Sequence, residues 1–155
     1  MSGCLTNKDS GLRVSSVLRR AIKEFGPKHL VDEKEDTCWN SDQGSPQWIE
    51  VNLDSLSNIE EIQIRFQGGF AGKDCCIQMT DENNANHHIM DFYPEDVNSL
   101  QSFKLPKVKS LKKFKIIFNN RSYHRTVMSL LLMPFSACLQ STDQSDIDSL
   151  IAKRE

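Results

Sequence analysis

The chain has no Gly-x-Ser-x-Gly elbow, no P-loop and no His-Glu-x-x-His pair, and its acidic pairs fall in turn-forming stretches. Each absence removes a class of chemistry: serine hydrolysis, phosphoryl transfer from nucleotides, and zinc-assisted peptide cleavage. An enzyme is not expected, nor a cofactor. There is also no run near the ~20 apolar residues of a membrane span, and the opening Met-Ser-Gly-Cys-Leu-Thr-Asn-Lys-Asp-Ser lacks a signal's apolar core. The expectation is an intracellular protein with no membrane contact. Cysteines are few: Cys4, Cys38, Cys75, Cys76 and Cys138, an odd number without Cys-x-x-Cys spacing. In a reducing compartment they are expected to be thiols. With His29, His87, His88 and His124 they would form a transition-metal site only if folding gathered them. Adjacent Cys75 and Cys76 point to opposite faces of a strand, as do His87 and His88, which argues against one tetrahedral site. The net charge is only −2, so any nucleic-acid role would rest on a local patch.

What the chain does have is alternation. Ile49, Val51 and Leu53 share one parity after Trp48, with Glu50 and Asn52 on the other. Ile62, Ile64 and Phe66 repeat the pattern, with Glu61, Gln63 and Arg65 on the wet face. A turn is expected at Asp54 to Asn58 between these strands. Leu12 to Arg20 alternates weakly and predicts a first strand, and Phe25-Gly26-Pro27 then predicts a loop. Cys75, Ile77 and Met79 lead into a polar hairpin tip at 81–86, and His88 to Phe92 returns from it. Leu100 to Leu105 and Leu111 to Phe118 predict two more strands, and Thr126 to Met133 a last one. A count of about eight or nine short strands without a convincing helix argues for a two-sheet sandwich. The domain is expected over 11–135, between a flexible N-terminus at 1–10 and a polar tail at 136–155, disordered or forming a short helix from Asp146. One core is expected, since a chain of 155 residues buries roughly 70% of its unfolded surface.

The spaced set Leu30, Asp32, Thr37, Trp39, Ser41, Gln47, Trp48, Ile49, Val51 and Leu53 resembles the opening of the discoidin, or coagulation-factor type C, family. That resemblance implies an antiparallel, galactose-binding-like jelly roll. Further segments narrow it: Arg13 to Leu18, Cys38 to Gly44, Arg65 to Phe70, Asp91 to Asp96 and Asn98 to Gln101. Polar loop residues match here as well as core ones. Over Arg13 to Met133 the chain resembles small nuclear-receptor-associated repressors of the testicular orphan receptor. The resemblance implies a non-enzymatic nuclear protein that binds an orphan nuclear receptor and reduces its engagement with DNA response elements.

Candidate sites follow from the loops. In this fold ligands meet the loops at one end of the sandwich, which points to Arg19, Arg20, Asn40, Asp42, Gln43, Gln67, Phe70, Tyr123 and Arg125 for a partner. Aromatic and arginine anchors such as Phe70, Tyr123 and Arg125 suit an interface hot spot. Tyr93, Glu95 and Asp96 form a second candidate surface. Asp32, Asp36 and Thr37 sit where many members of the fold bind calcium, and an alternative function is calcium-assisted glycan or small-ligand binding. The other reading of those acids is that they hydrogen-bond their own turn. Trp39 and Trp48 are expected in the core rather than as sugar-stacking platforms. Lys104, Lys107, Lys109, Lys112, Lys113 and Lys115 would make a phosphate-binding stripe or a solvated face, and the solvated face is expected because Lys113 and Lys115 oppose Phe114 and Ile116. Direct nucleic-acid binding is therefore not expected.

Overall fold

The computed structural model describes residues 11–32, 34, 36–44, 46–67, 71–121 and 129–132. Among them are seven strands: β1 Leu12–Val14, β2 Trp39–Asn40, β3 Gln47–Phe66, β4 Gly72–Thr80, β5 Asn86–Phe92, β6 Leu100–Arg121 and β7 Ser129–Leu132. Every pairing is antiparallel, in the order β2-β7-β3-β6-β4-β5, with β1 added to β3. No helix among the described residues is long and apolar enough to cross a membrane.

Two long strands build both layers of the sandwich. β3 and β6 pair from Gln47↔Phe118 to Asn52↔Lys113 and again from Glu61↔Lys104 to Arg65↔Leu100, with three register shifts between. Extra residues at such shifts bend a ladder. The first half of β3 therefore joins β1 and the β6-β4-β5 layer, while its second half joins β7 and β2. The expected turn at Asp54 to Asn58 is thus a bulged corner of one continuous strand. The two strands expected at 100–118 are likewise one, and Pro106 falls between the Lys104 and Val108 pairings, where no ladder N–H is required of it. Two ring contacts join the layers: Phe66 to Phe118, edge-on at 6.1 Å, and Phe92 to Phe103 at 4.8 Å.

Periodicity explains who is inside. Ile49, Val51, Ile62, Ile64, Ile77, Phe114, Ile116 and Phe118 are buried from alternating positions, joined by Leu30 and Trp39. Trp48 departs from the expectation of two core tryptophans. Because Ile49 and Val51 point in, Trp48 and Glu50 must point out. The Trp48 ring is half-buried there, with Lys115 Nζ 4.5 Å from its centroid.

The first strand is also shorter than expected, ending at Val14. After it come a 3-10 turn at Leu18–Arg20, one turn of helix α1 at Ile22–Phe25 and a second 3-10 turn at Pro27–Leu30. Two serines account for the break. The Ser15 hydroxyl accepts from Trp48 N–H (2.9 Å), the Ser16 hydroxyl accepts from Asp42 N–H (3.0 Å), and both donate to Gln47 Oε1. Gln47 Nε2 donates to the Asp42 and Gly44 carbonyls, and Trp39 Nε1–H donates to Ser16 C=O at 2.9 Å. Arg19 and Arg20 then take positive φ, 52° and 56°, which turns the chain away from the sheet.

Candidate functional site

A cleft of about 390 Å³ opens where β2, β3 and the loop before β6 meet, lined by Asp36, Thr37, Cys38, Arg65, Phe66, Gln67 and Asn98. Strand pairing sets its walls. Leu130 of β7 pairs with both Trp39 and Phe66, which brings the 36–38 segment beside the end of β3. Leu100 pairs with Arg65, which brings Asn98 to the opposite lip. The lining offers one acid, one guanidinium, two amides, a hydroxyl and a thiol beside Phe66, whose side chain is buried. Its volume lies in the range of pockets that take a small molecule or a few side chains. These groups offer hydrogen bonding and charge to whatever enters.

Behind the cleft, Thr37 Oγ1–H donates to Asp32 Oδ2 (2.6 Å) and Lys34 N–H to Asp32 Oδ1 (3.0 Å). His29 Nδ1 lies 3.0 Å from Asp32 Oδ2, while His29 Nε2 donates to the Lys23 carbonyl at 2.8 Å. Both ring nitrogens thus lie within hydrogen-bond distance of an oxygen. A calcium ion needs six to eight oxygens turned toward it. Asp32 instead faces the Lys34 N–H, the Thr37 hydroxyl and the His29 ring. That is the geometry of a carboxylate ordering its own turn.

Burial raises the Asp32 pKa, but hydrogen bonds from Thr37, His29 and Lys34 N–H, with the charge on His29, outweigh it and hold the group below its ordinary 3.8. A carboxylate lowered by folding contributes stability above its unfolded pKa and loses it as pH falls through the folded value. Asp32→Asn is therefore expected to cost about 1–2 kcal/mol at neutral pH. Urea midpoints of parent and variant should converge below pH 3.8; a constant gap across that range would exclude this role.

Residues 29–116 match the model of the NedA-like, galactose-binding domain, of the F5/F8 type C kind. The nuclear receptor 2C2-associated protein of Danio rerio is 47% identical over 108 residues, covering 70% of this chain and 77% of that one. The Homo sapiens protein of the same name is 43% identical over 120 residues, covering 77% and 86%. The chain belongs to the nuclear receptor 2C2-associated protein family. Its fold is that of galactose-binding-like modules. The family 32 CBM of C. perfringens NanJ, in complex with galactose, matches with a TM-score of 0.64 at 16% identity, covering 77% of this chain and 87% of that one. Chitosan-binding module 1 of a Paenibacillus chitosanase/glucanase matches at 0.63 and 19%, covering 79% and 89%.

In this member of the nuclear receptor 2C2-associated family, the expected partner residues divide. Gln67 lines the cleft, as do Asp36 and Thr37, which the sequence had suggested for a metal. Arg19 and Asp42 do not line the cleft but meet each other, Arg19 N–H donating to Asp42 Oδ1 at 3.2 Å, and Arg20 and Gln43 are their exposed chain neighbours. Asn40 lies in β2 and accepts from Cys38 Sγ at 3.4 Å. Tyr93, 68% exposed, Glu95 and Asp96 precede Asn98 in one loop. That loop is clasped by Gln101, whose amide bonds the Glu95 N–H (2.7 Å) and C=O (2.8 Å). The second candidate surface therefore lies on the loop that carries Asn98 to the cleft. Phe70, Tyr123 and Arg125 lie outside the described residues, as do both flanking segments. Sequence reasoning missed Cys38, Arg65, Phe66 and Asn98; Arg65 was within reach, being the last wet-face residue of a strand that ends at the loops. Of the lysines, Lys104 and Lys112 are exposed, and Lys115 sits between Trp48 and Glu50, 3.8 Å from the carboxylate.

Proposed function

We propose that this chain is a non-enzymatic interaction module of the nucleus that binds a nuclear receptor of the 2C2, testicular orphan, type. By occupying the receptor it lowers the receptor's hold on DNA response elements and represses transactivation. The observation that carries this reading is that relatives 41–47% identical over 70–77% of the chain bear the name nuclear receptor 2C2-associated protein. The loop-end cleft supports it with a mixed-charge, part-apolar surface of the kind that peptide side chains fill. Glycan binding finds less support: Trp39 is wholly buried, and Trp48 carries Lys115 on its ring. The test follows receptor bound to a labelled DNA element by fluorescence anisotropy as this protein is added. Loss of the receptor–DNA complex at micromolar protein is the expected result. An unchanged complex would refute the repression step.

A further inference from the structure

We propose that Cys76, His88 and Asp91 form a divalent transition-metal site of zinc type on the outer face of the β4–β5 hairpin. Their ligand atoms lie within 4.8 Å of one another, and among the described residues they are the one trio of potential ligands that converges. Strand register brings them together. Cys76 pairs directly with Asp91, so both point to the same face. Cys75, one residue earlier, points into the core and is 1% exposed. In a regular strand His88 would face away from Asp91, three residues distant. The register instead steps from Ile77↔Met90 to Gln78↔His88, skipping Ile89. This bulge turns His88 onto the face of Asp91, with Nε2 3.4 Å from the Asp91 carboxylate.

The donor set suits the ion. A soft thiolate, a borderline imidazole and a hard carboxylate are all donors that zinc takes, at about 2.0–2.3 Å, which in a tetrahedron sets them about 3.3–3.8 Å apart. The His88–Asp91 distance already meets that spacing. Side-chain rotation closes the rest, since both residues are more than half exposed. Three protein ligands leave a fourth position open to water or to a partner's side chain. Burial raises the Cys76 pKa, Asn119 opposes this by a hydrogen bond, and the Asp91 charge adds to it. Bound metal would replace the thiol proton and neutralise that charge. The site lies apart from the cleft and does not depend on the receptor-binding reading.

The probe is cobalt(II) alone, titrated into the full reduced chain and followed by absorption. One equivalent is expected to raise a thiolate-to-cobalt charge-transfer band with tetrahedral d–d bands, and zinc should displace both. Cys76→Ser should abolish the charge-transfer band, while Cys38→Ser should leave it. His88→Ala and Asp91→Asn, both at exposed positions, should each weaken binding at least about tenfold, the minimum that loss of even an outer-shell partner brings. No band in the parent, a band retained by Cys76→Ser, or undiminished affinity in both His88→Ala and Asp91→Asn would overturn the proposal.

Discussion

Trp39→Ala is expected to cost about 3–5 kcal/mol, a large part of the roughly 5–15 kcal/mol that holds a domain of this kind together. The ring is fully buried, and its N–H is used by the Ser16 carbonyl 2.9 Å away. Truncation leaves a cavity between β2 and the first turns of the chain, and it takes the indole donor from the Ser16 carbonyl. The melting temperature should drop by roughly 6–20 °C. Trp48→Ala provides the contrast. It loses the Lys115 contact, about 0.5–1 kcal/mol, with part of a half-buried ring, and about 1–2 kcal/mol in all is expected. Two tryptophans nine positions apart thus separate by side of the sheet. Equal losses in the two variants would contradict that assignment.

Gln47→Ala is expected to cost about 2–4 kcal/mol, more than an ordinary polar truncation, since it removes four hydrogen bonds worth about 0.5–1.5 kcal/mol each. The amide is 5% exposed and makes every hydrogen bond it can, accepting from two serines and donating to two carbonyls. Removing it takes one donor from the Asp42 carbonyl, which keeps the Ser41 hydroxyl, and one from the exposed Gly44 carbonyl, and it frees Ser15 and Ser16 to rotate. Ser15→Ala or Ser16→Ala alone should cost about 1 kcal/mol. Urea unfolding of the three variants checks the order. A Gln47 variant no weaker than the serine variants would show that water replaces the amide.

These residues also show what the sequence made legible. Alternation read correctly where one face is buried, as in Ile62, Ile64 and Phe66, because a one-residue error would expose the whole set. It failed where the ladder slips. The corner at Asn52 to Glu61 looks like a turn because its polar residues break the period, yet the chain keeps pairing through it. The skipped Ile89 is equally invisible to pattern. Cys75 and Cys76 do point to opposite faces, but the bulge at Ile89 puts His88 on the face of Asp91, a juxtaposition that alternation alone does not predict. The cleft was half legible. Gln67 was expected at a partner surface and Asp36 and Thr37 at a metal, whereas Asn98 reaches the site only through the Arg65↔Leu100 pairing, a contact distant in sequence.

The most direct test of the central claim is equilibrium binding of nuclear receptor 2C2 to the immobilised full chain, for the parent and for a combined Asp36→Ala, Gln67→Ala, Asn98→Ala variant. All three side chains are exposed, so folding should survive. Saturable binding by the parent is predicted, with at least about a tenfold loss in the variant, or about 1.4 kcal/mol, at an unchanged melting temperature. Equal affinities would remove the cleft from the interface, and no binding by the parent would contradict the receptor-binding function itself.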